Sequence, residues 1–185
     1  MKIKIFDGKK VAIRPFAKND LRRAKMFQDF VNSLVEEDAM ISENRKLTKK
    51  EEAKWLKDRL DQIKNHKVVF LIAEHKSALV GSAEIGLRRG REDHVGILGI
   101  STRRDYRRIG LGKYLMKEII KLAKKELRPK PKIIRLSVFP TNKPAIKLYQ
   151  KFGFKKTAVI HDQLKYKGKL YDEIIMLLYL FPKIK

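Results

Sequence analysis

The chain has 185 residues, with 45 lysine and arginine against 21 aspartate and glutamate residues, which gives a formal net charge of +24. This length suits one domain with a full core, and no apolar run approaches the roughly 18 residues of a membrane span. The absence of cysteine excludes disulfides and thiolate chemistry, and the four scattered histidines show no ligand spacing, so we expect no metal site and a cytoplasmic location.

The N-terminal half predicts a hairpin, two helices and two further strands. Asp7-Gly8 is typical of a hairpin turn. Apolar residues at helical spacing predict the first helix, and Thr48-x-x-Glu51 is a capping box that predicts the start of the second. The strands are expected at residues 2–6, 9–14, 68–73 and 79–87.

A glycine-containing basic turn follows the next predicted strand, Val95–Ile100, and opens a helical pattern. The turn is Arg107-Arg108-Ile109-Gly110-Leu111-Gly112-Lys113. Glycine lets the backbone approach a ligand, and the first N–H groups of a helix favour anions. The turn is neither a P-loop nor a dinucleotide fingerprint. It predicts a site for a phosphorylated cofactor, with a basic surface turn as the alternative.

A second strand-and-helix unit lies further along the chain. Ile133–Phe139 predicts a strand, and Asn142 is a predicted N-cap of the helix that follows. Helical spacing places Asn142, Ala145 and Tyr149 on one face of that helix. This face therefore carries an amide, a small residue and a phenol within two turns.

The two units together resemble the GNAT acetyltransferase superfamily. The family pattern Arg/Gln-x-x-Gly-x-Gly/Ala is matched by Arg107, Gly110 and Gly112. The pattern Asn-x-x-Ala-x-x-Leu-Tyr-x-x-x-Gly-Phe is matched by Asn142, Ala145, Leu148, Tyr149, Gly153 and Phe154. The resemblance extends from Val11 to Leu180, and the last predicted hairpin is similar to that of members acting on protein N-termini, ribosomal proteins or polyamines.

The resemblance implies an α/β (α+β) fold in a single domain over residues 1–185, with its core at 11–180. About four helices would flank a mixed, mostly antiparallel sheet of about seven strands, splayed between strands 4 and 5. Acetyl-CoA would lie in that gap, and we predict that a bulge at Gly99 opens it. The implied cofactor contacts are Ile100, Ser101, Thr102, Arg107, Arg108, Ile109, Gly110, Leu111, Gly112, Lys113, Asn142, Ala145 and Tyr149.

The family chemistry needs an acid for the departing thiolate and a base for the amine. The resemblance assigns the acid to Tyr149, with an aromatic core residue as the alternative. Some members place a glutamate where Ser137 stands here, so Glu84 is our candidate base, acting through water; the alternative is an exposed strand residue. Glu36, Glu37 and Asp38 form an acidic patch that would bind the acceptor, unless they only end a solvated helix.

Three functions remain open at this point. The first is acetyl transfer from acetyl-CoA to a protein N-terminus or lysine, and the second is acetylation of a polyamine or amino acid. The third is a degenerate member of the fold that binds RNA or the ribosome, because a charge of +24 attracts polyanions. No nucleic-acid-binding module is recognisable. We expect a monomer or homodimer, and the abundant lysine and glutamate are typical of a thermophilic source.

Overall fold

One eight-stranded sheet organises the computed structural model, which describes residues 1–181. Its strands are β1 (Lys2–Phe6), β2 (Lys9–Pro15), β3 (Val68–His75), β4 (Ala78–Leu87), β5 (Val95–Thr102), β6 (Ile133–Val138), β7 (Lys155–Tyr166) and β8 (Lys169–Tyr179). Its helices are α1 (Ala24–Glu36), α2 (Lys49–Lys64), α3 (Leu111–Glu126) and α4 (Lys143–Lys151), with short 3₁₀ turns at Lys18–Arg23, Gly90–Glu92 and Arg104–Tyr106.

The strand order across the sheet is β1-β2-β3-β4-β5-β6-β8-β7. Every neighbouring pair is antiparallel except β5 and β6, which are parallel. The predicted mixed, mostly antiparallel sheet is therefore confirmed. The sheet has eight strands, one more than the number of about seven that the resemblance implied, and the extra edge strand β1 is the one predicted from the Asp7-Gly8 turn. The parallel pair is formed by the fifth and sixth strands.

The two faces of the sheet carry separate apolar cores. On one face Leu115, Met116 and Ile119 of α3 are fully buried in a cluster that also includes Tyr149 of α4. On the other face α1 and α2 pack Phe30 and other buried residues against β3. Two of these helices, α2 and α4, begin at the predicted N-cap residues. The Thr48 hydroxyl accepts from Glu51 N, and Asn142 Oδ1 accepts from Ala145 N at 3.3 Å.

The sheet opens where β5 and β6 stop pairing. The two strands are in register only over Val95–Ile97 and Ile133–Arg135. Beyond these residues β5 stays paired with β4 as far as Thr102, while β6 stays paired with β8 as far as Val138. Each strand therefore follows its outer neighbour, and a gap forms between them at the carboxyl end of β5.

The predicted bulge at Gly99 is wrong. The pairing of β5 with β4 runs without a register shift, with Gly99 opposite Glu84. The gap therefore forms without a bulge, because β5 and β6 separate where the hydrogen bonds between them end. A Cβ at Gly99 would meet only the Cγ of Glu84, at 3.6 Å.

Candidate active site

The N-terminus of α3 lies just beyond the open end of β5 and presents free backbone donors. Gly110 occupies the N-cap position but has no side chain to accept from the helix, and its φ of 92° is a left-handed value that glycine adopts without strain. Arg108 is also left-handed, with a φ of 62°. Within residues 1–181, the N–H groups of Leu111, Gly112 and Lys113 have no hydrogen-bond acceptor. Uncapped N–H groups and the helix dipole make this turn an anion site.

Arg107 does not extend into this turn. Its Nε donates to the carbonyl of Thr102 at 3.1 Å, and its guanidinium also pairs with Glu37. Arg104 joins the same carboxylate, with Nε at 3.6 Å from Glu37 Oε2. Arg107 therefore braces the turn against the end of α1, whereas the side chains of Arg108 and Lys113 remain exposed.

The predicted backbone contacts lie along the free edge of β5. Ile100, Ser101 and Thr102 pair with β4 on one side, and no strand of the described sheet pairs with them on the other. An extended ligand with amide groups could hydrogen-bond to this edge as an additional strand would. The structure thus brings the predicted β5 residues and the α3 turn together at one end of the sheet.

The helix α4 closes the same end from the side of β6. A Cβ at Gly112 would contact Leu148 at 3.7 Å, so the first turn of α3 lies against α4. Ala145 is half-buried next to the same core, and the ring of Tyr149 is 8% exposed and packs on Phe154 at 6.0 Å between centroids. Burial raises the pKa of Tyr149 to about 12, so its hydroxyl stays protonated at neutral pH.

Glu84 lies at the opening on the opposite face of the sheet, where α2 packs. Its carboxylate is 3.1 Å from Nε of Arg59, whose guanidinium stacks on Trp55 at 4.8 Å. Burial raises the pKa of Glu84, and the charge of Arg59 opposes that rise. Only a quarter of either side chain of the pair is exposed. Arg59 and Trp55 are site residues that our sequence analysis missed, since an ion pair between α2 and β4 leaves no local pattern.

The predicted acid and base therefore lie on different faces of the sheet. Tyr149 belongs to the core under α3 and α4, and Glu84 points to the face covered by α1 and α2. In the described sheet, strand pairing is lost at the gap between β5 and β6, so groups from the two faces can meet there.

The acidic patch at the end of α1 is neutralised within the chain. Glu36 pairs with Lys46 at 2.8 Å, and Asp38 pairs with Lys167 at 2.7 Å. Glu37, 13% exposed, bridges the two arginines described above. These carboxylates tie the segment after α1 to the α3 turn and to the β7–β8 hairpin, while the side chains of Glu36 and Asp38 remain more than half exposed.

No group of three or more potential metal ligands occurs in residues 1–181. In the same region no helix is long and apolar enough to cross a membrane.

Comparison with known proteins identifies the family. The model of the acetyltransferase (GNAT) family matches residues 31–154, which include β3 to α4 and both motifs. The chain belongs to this family. A curated relative is the L-amino acid N-acetyltransferase AaaT of Escherichia coli (strain K12), which is 36% identical over 85 residues. That match covers 45% of this chain and 51% of the relative, so the chain spans about half the length of the curated relative it matches.

Solved structures have the same fold over nearly the whole chain. An acetyltransferase of the GNAT family from Streptococcus pneumoniae is 25% identical with a TM-score of 0.79, over 92% of this chain and 99% of that one. A ribosomal-protein-alanine N-acetyltransferase from Brucella melitensis is 22% identical with a TM-score of 0.76, over 91% and 99%. An acetyltransferase from Salmonella typhimurium, solved with acetyl-CoA, is 20% identical with a TM-score of 0.77, over 95% and 96%.

One buried acid on α2 gives a prediction about stability. Glu52 is 2% exposed, and burial followed by the nearby Glu43 raises its pKa from 4.5 to about 7. Because the folded pKa lies above the unfolded value, stability is highest below that unfolded value and falls as pH rises towards the folded pKa. We expect Glu52→Gln to remove this loss, so that thermal melts show the variant more stable than the parent at pH 8, by up to about 3 kcal/mol.

The control is Asp58→Asn, an exposed carboxylate on the same helix. It should leave the pH dependence of the melting temperature unchanged. A parent protein whose stability rises from pH 5 to pH 8, with Glu52→Gln following it, would contradict the prediction.

Proposed function

We propose that this chain transfers the acetyl group of acetyl-CoA to a primary amine, with a protein N-terminus or lysine as the acceptor. The observation that carries the proposal is the gap between β5 and β6, which opens beside the uncapped N-terminus of α3. Family membership supports the same reaction. If the pantetheine arm of acetyl-CoA lay along the free edge of β5, its thioester would reach the gap. Its phosphates would then contact the α3 turn.

The phosphates would be held by backbone more than by side chains. The N–H groups of Leu111, Gly112 and Lys113 point out of the first turn, and Arg108 and Lys113 add mobile positive charge. Gly110 allows the left-handed turn that exposes these donors. Arg107 is assigned a bracing role, since its guanidinium is already engaged by Thr102 and Glu37.

In the proposed reaction the amine nitrogen attacks the thioester carbonyl carbon, a C–N bond forms, and the C–S bond breaks. Glu84 accepts the proton that the amine loses, through a water molecule, and Tyr149 donates a proton to the departing thiolate. Burial raises the pKa of Glu84, which makes this carboxylate a stronger base than an exposed one. Tyr149 carries its proton at neutral pH, as a general acid must, although burial raises its pKa to about 12 and makes the hydroxyl a weaker acid than an exposed phenol.

A protein acceptor is favoured by the charge of the chain. Free polyamines are cations that a net charge of +24 repels, and the carboxylates that could hold one locally are already paired. The similarity in fold to the Brucella enzyme, a ribosomal-protein-alanine N-acetyltransferase, is compatible with this choice. The second candidate is a small amine such as an amino acid, which the name of the Escherichia coli relative favours.

Acetyl-CoA should stabilise the protein, and a substitution in the α3 turn should abolish the effect. Ligand at about 100 times its dissociation constant adds roughly 2.7 kcal/mol, which a thermal melt detects. Gly110→Asp places a side chain in a left-handed turn and a negative charge beside the phosphates. The matched control is Gly90→Asp, since Gly90 is also left-handed (φ 63°) but lies at the other end of β5. A melting temperature unmoved by millimolar acetyl-CoA would contradict the proposal.

Removing the hydroxyl of Tyr149 should slow turnover without weakening donor binding. Tyr149→Phe keeps the ring packed on Phe154, and loss of a general acid lowers kcat by about 10² to 10⁴. The Kd for acetyl-CoA, measured by calorimetry, should stay the same. Tyr114→Phe on α3 is the control, because Tyr114 packs against Phe6, away from α4. Unchanged kcat in Tyr149→Phe would leave this residue as part of the core only.

A competition assay tests the acceptor. The protein receives acetyl-CoA with equal concentrations of spermidine, free amino acids and a mixed library of N-terminal peptides, and mass spectrometry identifies the acetylated products. We expect peptide products to dominate, because the field of the whole chain repels spermidine. Dominance of acetylspermidine or of an acetylated amino acid would replace the protein acceptor by a small amine.

A further inference from the structure

Positive charge is concentrated in one segment of the chain. Residues 103–156 contain eighteen lysine and arginine but only three aspartate and glutamate residues. This segment includes α3 and α4, which bury the core on one face. The helices of the other face are nearly balanced, since α2 interleaves its lysines with four acidic residues. Residues 103–156 thus contribute +15 of the net charge of +24.

Within that side, α3 carries an ordered stripe of lysines. Lys113, Lys117, Lys121 and Lys124 follow one another at intervals of four, four and three residues, so they share an arc of about 80° on the helix. At about 1.5 Å per residue the stripe is roughly 17 Å long. All four side chains are exposed, and none of them forms an ion pair within residues 1–181.

The acidic residues nearby do not neutralise the stripe. Glu118 lies beside it and pairs with Lys2 at 2.6 Å, and the charges of Lys117 and Lys121 also act on its carboxylate. Glu126 at the end of the helix pairs with Lys125 at 3.2 Å. Beyond the helix, Nζ of Lys130 donates to the carbonyls of Lys124 and Lys125, which extends the positive charge past the C-terminus of α3.

The lysine stripe lacks apolar and aromatic anchors, and this composition indicates which kind of partner it can bind. Protein interfaces are built around aromatic and apolar anchors and are poor in lysine, and membrane-surface helices also need an apolar side. The exposed large apolar residues of the described chain all lie outside α3 and α4. Single-stranded nucleic acid binds through aromatic stacking, which this face lacks. Regularly spaced lysines without anchors suit the phosphate backbone of a duplex.

We infer that the lysine stripe on α3 is a docking surface for the phosphate backbone of double-helical RNA. The choice of RNA over DNA rests on the proposed function, with the acceptor taken to be a ribosomal protein as for the Brucella enzyme of similar fold, because such an acceptor is surrounded by structured RNA. The docking itself does not depend on catalysis, since the stripe from Lys117 onward lies outside the residues assigned to acetyl-CoA. RNA bound here would hold the enzyme near its acceptor while leaving the gap between β5 and β6 open.

The test is binding of a fluorescent RNA duplex of about 16 base pairs, followed by anisotropy at several salt concentrations from roughly 50 to 200 mM. The variant Lys117→Gln/Lys121→Gln/Lys124→Gln should bind more weakly. It should also flatten the slope of log K against log salt by about three units, one for each phosphate that a lysine no longer neutralises. The control Lys50→Gln/Lys54→Gln/Lys57→Gln removes the same charge from exposed lysines of α2 and should keep the parental slope.

Four results would overturn the inference. They are equal losses of affinity in the two triple variants, displacement of the RNA by saturating acetyl-CoA, tighter binding of a DNA duplex of the same length, and tighter binding of polyglutamate of the same charge. No step of the assay requires acetyl transfer, so the RNA-binding inference can be contradicted for a protein that is an active acetyltransferase. Equally, an inactive protein can still show the predicted slope.

Discussion

The structure depends on a limit to strand pairing. β5 and β6 share only three residue pairs before each follows its outer neighbour, β4 or β8. This divergence leaves the last residues of β5 with a free edge, and α3 begins where that strand ends. The same gap links the two faces of the sheet, which are otherwise sealed by separate apolar cores. A site for two reactants therefore follows from the topology before any catalytic side chain is considered.

Arginine and lysine side chains play different electrostatic roles in this structure. Arginine and carboxylate side chains pair where elements meet, as Arg107 does with Glu37 and Arg59 with Glu84. These pairs fix the turn after β5 and the side chain of the candidate base. The lysine stripe on α3, by contrast, remains solvated and unpaired within residues 1–181. The positively charged residues thus have two roles. Arginines hold elements together at the gap, and lysines on α3 produce a long-range field outside it.

Local rules account for what the sequence could predict. Gly110 is the residue that a left-handed cap requires, Asn142 and Thr48 are ordinary N-caps, and the apolar periodicity located the helices and strands. Long-range pairing could not be inferred in this way. Glu37 and Arg107 are 70 residues apart, so the acidic patch looked free in the sequence although the fold neutralises it. The Gly99 prediction failed because loss of pairing, and not an inserted residue, separates β5 from β6.

Amide hydrogen exchange with and without acetyl-CoA tests the central claim most directly, because it reports which backbone donors the ligand covers. We expect slowed exchange at the free edge of β5, at Ile100 and Thr102, and in the first turn of α3, at Leu111–Lys113, with little change at β1 or in α2. Protection that is absent from both segments while acetyl-CoA is bound, or that falls instead on the far end of the sheet around Gly90, would contradict the account.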